Sequence, residues 1–593
     1  MTATSRSLRL AGAASLALLV LLHTPQTIIQ AGGGARLDSE YGISLAIGAG
    51  VLVAVGLGYR MLSRIVPRTA DHQLVARYIS EPFSAITAAA KLISYVMIVA
   101  IAAGFAVSSL TPLIGPTSTV LPLIQAAAVL IFAVPTMIGR QPSARVIIGA
   151  LAPAALAIAV IIVGGLVIEL AGGLTTIPET TVAEPTAGIP WPLGEAVLGA
   201  LFPAAVLGLA TERSFGETGG RRITSRRLLT AILPVLVAIA ALLYLSHITH
   251  LPPATTSPSV LALAEVFFPG IVVTIIGVAF AVAGAAVALA TFIQVSQLIR
   301  QLAADGILPR HIAAADAYGA RRAVVATLAG AGAVAVVLAR SPLGGATIVV
   351  TIMSVSMLLT MSALVVRSRT IRRQSTELTE RVDAGKSRIA GLLLGAIATA
   401  ILALSVSVEP HFTLVGALAL AIPSIALLVL RRGMGRVGAT LAADDLSAGR
   451  SLPTRVHAIV LVERLDRPTL QAITFVRATR PSTMTGLVVD VDPVATDRLT
   501  KDWMAADLPV ELTILGTPRG AARRPVIEHV QSLRRSSPRD IVIIYSPRVV
   551  SSSAPWQRFF VSHSTPALLS ELKLEPGVIV AEVPYQIEDI EEQ

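Results

Sequence analysis

Long apolar runs, broken by short polar stretches, follow one another along the chain as far as residue 430. A helix that crosses a bilayer needs about 20 mostly apolar residues. Twelve segments approach or exceed that length, near 8–30, 42–62, 84–112, 118–138, 145–170, 191–211, 228–248, 260–299, 322–340, 344–366, 389–408 and 412–430. The pattern predicts a polytopic α-helical membrane region of twelve transmembrane helices over residues 1–432. The first run follows Arg6 and Arg9 and precedes small residues at 31–35, as a signal peptide would. His23, Thr24, Pro25 and Gln26 interrupt the cleavage pattern, so a retained first helix is expected.

The periodicity changes after Arg431 and Arg432. Residues 433–454 are polar and carry Gly433, Gly435 and Gly438, which reads as a linker. From 455 to 588 short apolar strands alternate with amphipathic helices. Strands are predicted at 456–463, 485–491, 510–516, 541–546 and 578–583, and helices near 469–479, 495–506, 525–535 and 556–572. That alternation argues for an α/β domain with a parallel sheet covered on both faces. An acidic tail, 589–593, closes the chain. Gly516 and Gly520, with Arg519, Arg523 and Arg524, mark either a weak anion site or a solvated basic helix start.

Charge sets the orientation. Arg and Lys collect in alternate loops: Arg60, Arg64, Arg68 and Arg77; Arg140 and Arg145; Arg213, Arg221, Arg222, Arg226 and Arg227; Arg310, Arg321 and Arg322; and a last group from Arg367 to Arg388. The opposite loops are nearly bare, with Arg36 and Arg340 as exceptions. Positive loops stay inside, so both termini and the α/β domain are expected in the cytoplasm and the helices in the plasma membrane. The net charge of +11 follows from this arrangement. The bases are dispersed without aromatic interleaving, which argues against a nucleic-acid partner. The absence of cysteine excludes disulfides and thiol chemistry.

No H-E-x-x-H, G-x-S-x-G, Walker element or paired carboxylates occur. No catalytic residue, metal site or cofactor is therefore expected. His247 and His250, three apart at the end of the seventh segment, are either a two-histidine metal site short of a third ligand or plain interfacial residues. Lys91, about two turns into the third segment, is either a functional amine or a side chain snorkelling to the surface. Runs of small residues, such as 283–288 and 326–335, predict close helix packing.

The stretch Gln297 to Arg310 ends in Leu302-Ala303-Ala304-Asp305-Gly306-Ile307-Leu308-Pro309-Arg310. It resembles the L-A-x-D-G-x-L-P-R signature after the eighth helix of amino acid–polyamine–organocation (APC) superfamily carriers. Residues 455–588, with Pro576-Gly577-Val578-Ile579-Val580 and Val583-Pro584-Tyr585 near their end, are similar to the universal-stress-like cytoplasmic domain of bacterial KUP/KimA-type potassium importers. The order of parts matches as well. The resemblance implies a LeuT-like fold: an inverted five-plus-five repeat with two extra helices, helices one and six broken near the midplane, and substrate held there. It also implies a secondary carrier, of potassium or of a small solute such as an amino acid, coupled to protons. The cytoplasmic domain would gate the carrier or pair two copies of it.

The same resemblance exposes departures. The family supplies oxygen ligands from helices one, three, six and ten. Helix one offers Ser15, with His23, Thr24, Gln26 and Thr27 toward its outer end. Tyr95 matches the tyrosine of helix three, but the hydroxyl positions beyond it fall on Ile98 and Ala102. In helix six the threonine position falls at Leu209, with Thr211 close by. In helix ten a tyrosine position falls at Val350, between Thr347 and Thr351. Leu289-Ala290 stands where helix eight carries Asn-Thr. Ser15, Lys91, Tyr95, Thr211, Thr347 and Thr351 are the pathway candidates. The departures keep a second reading open: a transporter-derived scaffold, sensor or partner subunit that moves nothing, bound to another membrane protein.

Overall fold

The computed structural model describes residues 3–31, 40–66, 69–115, 120–139, 142–172, 192–212, 225–249, 251, 257–308, 322–339, 341–441, 455–516, 523–535, 539–551 and 565–587. Contacts divide the chain into two compact units, residues 1–441 and 442–593.

The first unit is helical. Its elements are α1 (Ala3–Ile29), α2 (Glu40–Ile65), α3 (Asp71–Tyr78), α4 (Glu81–Ser108), α5 (Thr111–Ile114), α6 (Leu121–Met137), α7 (Ala144–Leu170) and α8 (Pro192–Glu212). They are followed by α9 (Ser225–Ile248), α10 (Ser259–Phe267), α11 (Gly270–Ala304), α12 (Arg322–Ala339), α13 (Pro342–Gln374), α14 (Leu378–Val408) and α15 (Pro410–Leu441). Among the described residues ten helices are long and apolar enough to cross a bilayer, and two shorter apolar helices, Leu121–Met137 and Ile232–Ile248, stand where segments four and seven were expected. The unit is that of a multi-pass membrane protein.

Four helices, α1, α4, α8 and α13, have most of their surface enclosed, while α7, α12, α14 and α15 expose broad apolar faces. Close approach among the enclosed helices depends on small residues. A Cβ added at Gly284 of α11 would lie 2.8 Å from the Ala106 Cβ and 2.9 Å from the Ala102 carbonyl of α4.

Several expectations need correction. The eighth segment is two helices, because Phe268 and Pro269 turn the chain between α10 and α11. Helices α1 and α8 are each continuous rather than broken. Pro25 and Pro203 each remove one backbone donor without ending the helix; nearby, the Thr27 hydroxyl donates to the Thr24 carbonyl at 2.8 Å. Helix α15 continues to Leu441, where a linker was expected from 433. Glycine weakens a helix by about 1 kcal/mol without ending it, and no proline stands between Gly433 and Leu441.

The second unit holds β1 (Val456–Leu461), α16 (Arg467–Ala478), β2 (Thr483–Asp490), α17 (Pro493–Ala505), β3 (Glu511–Gly516), α18 (Arg523–Arg535), β4 (Ile541–Ser551), α19 (Thr565–Leu572) and β5 (Val578–Ile587). All five strands are parallel, in the order β3-β2-β1-β4-β5. Ala472, Ile473 and Val476 of α16 and Leu499 and Trp503 of α17 cover one face; Val526 and Val530 of α18 and Leu568, Leu569 and Leu572 of α19 cover the other. Asp466 and Asp492 cap α16 and α17 by accepting from backbone N–H groups at 3.1 Å. Strands β4 and β5 run longer than predicted, pairing with each other from Val542↔Val578 to Ser551↔Ile587. Of the helix expected over 556–572, the part before Thr565 lies outside the described residues, as do most of the expected linker and the acidic tail.

Candidate functional site

The flanking helices α2 and α4 and the far end of α11 meet at the short helix α3. Lys91, on α4, does not snorkel. Its Nζ donates to Asp71 Oδ2 at 3.0 Å, and both side chains are only 1% exposed. Burying a charge is costly unless it is paired, so each of these groups accounts for the other. The Tyr59 hydroxyl of α2 lies beside the Asp71 carboxylate. Tyr59 also lines a cavity with Gly208 of α8 and Ser354 and Met357 of α13, with about 20 Å³ of space, enough for one water molecule.

The next residue, His72, reaches the other way. Its Nε2 donates to Asp305 Oδ2 at 2.8 Å, while Gln73 Nε2 donates to Asp305 Oδ1 at 2.7 Å. Gln73 Oε1 accepts from the Ala70 N–H at 3.1 Å and closes the start of α3. Burial, opposed by the Asp305 hydrogen bond, holds the His72 ring below its usual 6.5, so the ring is neutral at pH 7. Its Nδ1 is buried without a hydrogen-bond partner among the described residues.

The signature stretch acquires a physical explanation here. Asp305 caps α11. Gly306 takes φ +71, a left-handed conformation that glycine adopts freely. The Gly306 N–H donates to Ala303 O at 3.2 Å and the Ile307 N–H to Leu302 O at 2.9 Å, the pattern of a Schellman turn. Leu302 and Ile307 are both buried there. The Asp-Gly-Ile run thus ends α11 and leaves the Asp305 carboxylate facing α3. Pro309 and Arg310 lie outside the described residues.

The other pathway candidates are not gathered into this cluster. Ser15 is buried and its hydroxyl donates to Ala11 O of its own helix at 2.8 Å. The Tyr95 hydroxyl donates to the Leu209 carbonyl at 3.3 Å and links α4 to α8. Thr347 and Thr351 are buried one turn apart on α13, and neither hydroxyl has a hydrogen-bond partner among the described residues. This sets them apart, because a hydroxyl in a membrane helix usually bonds back to its own backbone, as Thr360 does to Ser356 O. On α1, His23 Nε2 and Thr24 Oγ1 are likewise buried and without partner among the described residues. The His23 ring meets Phe202 edge-on at 5.0 Å. The Thr211 side chain and His250 lie outside the described residues; among the described residues no three His, Cys, Asp or Glu side chains are grouped to hold a metal ion.

Reasoning from sequence missed Tyr59, Asp71, His72 and Gln73. The signal was the run Asp71-His72-Gln73 between two apolar segments, polar residues opening a helix too short to show a period.

Residues 455–585 match the family described as the KimA potassium transporter C-terminal domain. The second unit is similar to that domain. The match points to transport rather than to an enzyme. No curated protein matches the chain. Solved structures similar to it include a histidine-to-alanine and a glutamate-to-alanine variant of the manganese transporter of Eremococcus coleocola. Each shows 14% identity and a TM-score of 0.40, over 72% of this chain and 97% of the other. The same organism's manganese transporter in complex with an aromatic bis-isothiourea substituted compound gives 14% and 0.39, over 72% and 95%.

Proposed function

We propose that the chain is a secondary carrier of a monovalent cation, potassium first, of APC-superfamily and LeuT-like type. In this reading it lies in the plasma membrane with both termini in the cytoplasm. The observation that carries the proposal is the joining, in one chain, of ten long apolar helices to a domain that matches the C-terminal domain of KimA potassium transporters. The doubly wound order β3-β2-β1-β4-β5 suits a universal-stress-like domain, whose role here would be regulation or pairing of two copies. Of the enclosed helices, α1, α4 and α13 are the three from which the cation would draw side-chain oxygens in place of its hydration shell. Tyr95, Thr347, Thr351 and Thr24 are the oxygens we assign to it.

The test is rubidium-86 uptake at micromolar concentration in a bacterial host stripped of its own potassium importers. Uptake above the empty host, reduced at least about tenfold in Thr347→Val/Thr351→Val, is the expected result. No uptake with the protein present in the membrane would count against a potassium carrier.

A second reading has its own support. Ile98, Ala102, Leu209, Val350 and Ala290 are all buried, at positions where the family resemblance leads one to expect polar groups. A scaffold or partner subunit needs no such groups. Co-purification with a second membrane protein in fixed ratio, together with absent uptake, would favour it.

A further inference from the structure

Three membrane-spanning helices border one open groove of about 470 Å³. Helix α4 begins there with Glu81, α11 ends there at Ala304, and α15 passes with Arg431 and Gly435. Leu308, in the turn after α11, completes the wall. On α15 the exposed apolar residues run as far as Val429 and Leu430 and then give way to Arg431 and Arg432. Arginines at the end of an apolar run mark the level where hydrocarbon meets headgroups. Phe83 of α4, also exposed, lies two residues from Glu81.

Two of the lining side chains carry opposite charge. Arg431 Nη2 donates to Glu81 Oε1 at 2.9 Å. Glu81 is 67% exposed and Arg431 23%. An ion pair so open to water is weak, so either member can change partner. Together the two leave the groove without net charge, while the carbonyl end of α11 adds partial negative charge at Ala304. Ile422, Ile425 and Val429, at helical spacing, form an exposed apolar face on α15. Gly435 keeps the flank of α15 open beside the groove, since a Cβ added there would meet nothing within 4 Å.

We propose that this groove holds the headgroup of a membrane phospholipid with a primary ammonium beside its phosphate, the phosphatidylethanolamine class. The ammonium donates to the Glu81 carboxylate, next to the carbonyl end of α11. The Arg431 guanidinium donates to the phosphate oxygens. The hydrocarbon chains lie along the face of Ile422, Ile425 and Val429. Each member of the ion pair exchanges its partner for another of opposite charge, and no charge is left unmatched. An anionic headgroup such as phosphatidylglycerol offers Glu81 no cation and is repelled by it. A choline headgroup has no N–H to donate to the carboxylate. The inference needs the helical unit to lie in a membrane and does not depend on the carrier reading.

The experiment is native mass spectrometry of the full chain, purified in detergent and supplied in turn with the dioleoyl forms of phosphatidylethanolamine, phosphatidylglycerol and phosphatidylcholine. It reads the fraction of protein that carries each lipid. In the wild type phosphatidylethanolamine is expected to bind about tenfold more tightly than the other two, the worth of one charge-assisted hydrogen bond. In Glu81→Ala that preference disappears. Arg431→Gln weakens phosphatidylethanolamine binding by a similar factor, and Lys501→Gln, on the exposed surface of α17, changes nothing. Should Arg431→Gln fail to fold, the exposed position 81 decides. Equal binding of the three lipids by the wild type overturns the proposal. So does a preference for phosphatidylglycerol, or a preference for phosphatidylethanolamine that survives Glu81→Ala.

Discussion

Asp71 and Lys91 form a buried pair whose two halves have unequal consequences when removed. Asp71→Ala strands an ammonium in the interior and is expected to cost about 3–5 kcal/mol. Asp71→Leu with Lys91→Met removes both charges and is expected to recover most of that loss. Thermal unfolding of the detergent-solubilised protein distinguishes the two. His72 adds a pH dependence whose sign is fixed by its direction of shift. Its folded pKa lies below 6.5, so below pH 6.5 the unfolded chain binds the extra proton and the folded state does not. Stability is full above pH 6.5 and declines as pH falls toward the folded value. His72→Gln is expected to flatten that part of the profile. Lys91 could be singled out from sequence because a lysine inside an apolar segment is rare. Its partner could not, since Asp71 opens an eight-residue helix and the His72 partner lies 233 residues away.

Helix ends and crossings make separate demands. Gly306 is the residue that lets α11 stop where Asp305 faces α3. Gly306→Ala forces a side chain into the left-handed region, at a cost of about 1–2 kcal/mol, read as a lower unfolding midpoint. Gly284→Leu is expected to be worse, since its side chain would collide with Ala102 and Ala106 of α4; loss of expression or a large fall in midpoint is the measure. Membrane elements were readable in the chain because lipid offers no partner to backbone groups and so enforces long apolar runs. The misreadings had local causes. Pro269 divides a run that hydropathy alone joins, while Gly433, Gly435 and Gly438 look like a linker yet remain within α15. The sheet strands were placed to within a few residues, except where β4 and β5 extend each other through mutual pairing that neither segment's own pattern reveals.

At the scale of the molecule, residues 442–593 carry a core on each face of one sheet and form their own contact unit. Expressed alone, they are expected to be soluble and to unfold cooperatively, as followed by circular dichroism; a broad, non-cooperative transition would count against independent folding. Which helices are enclosed was only partly visible in the sequence. The enclosed α1 and α13 carry more Ser, Thr and His than the exposed α7 and α12, but hydropathy ranks all four as spans.

One pair of helices ties the protein to its surroundings in a way the others do not. Helix α6 has 17 residues and its neighbour α12 has 18, which at 1.5 Å per residue gives rises of about 26 and 27 Å. The hydrocarbon layer is about 30 Å thick, and both helices show bare apolar faces, among them Leu123, Ile131, Val334 and Val337. Lipid along this flank must therefore pinch inward, while beside the 35-residue α11 it need not. Acyl-chain length becomes an asymmetric load on the helical unit, so lipids with longer tails are expected to strain one side of the protein.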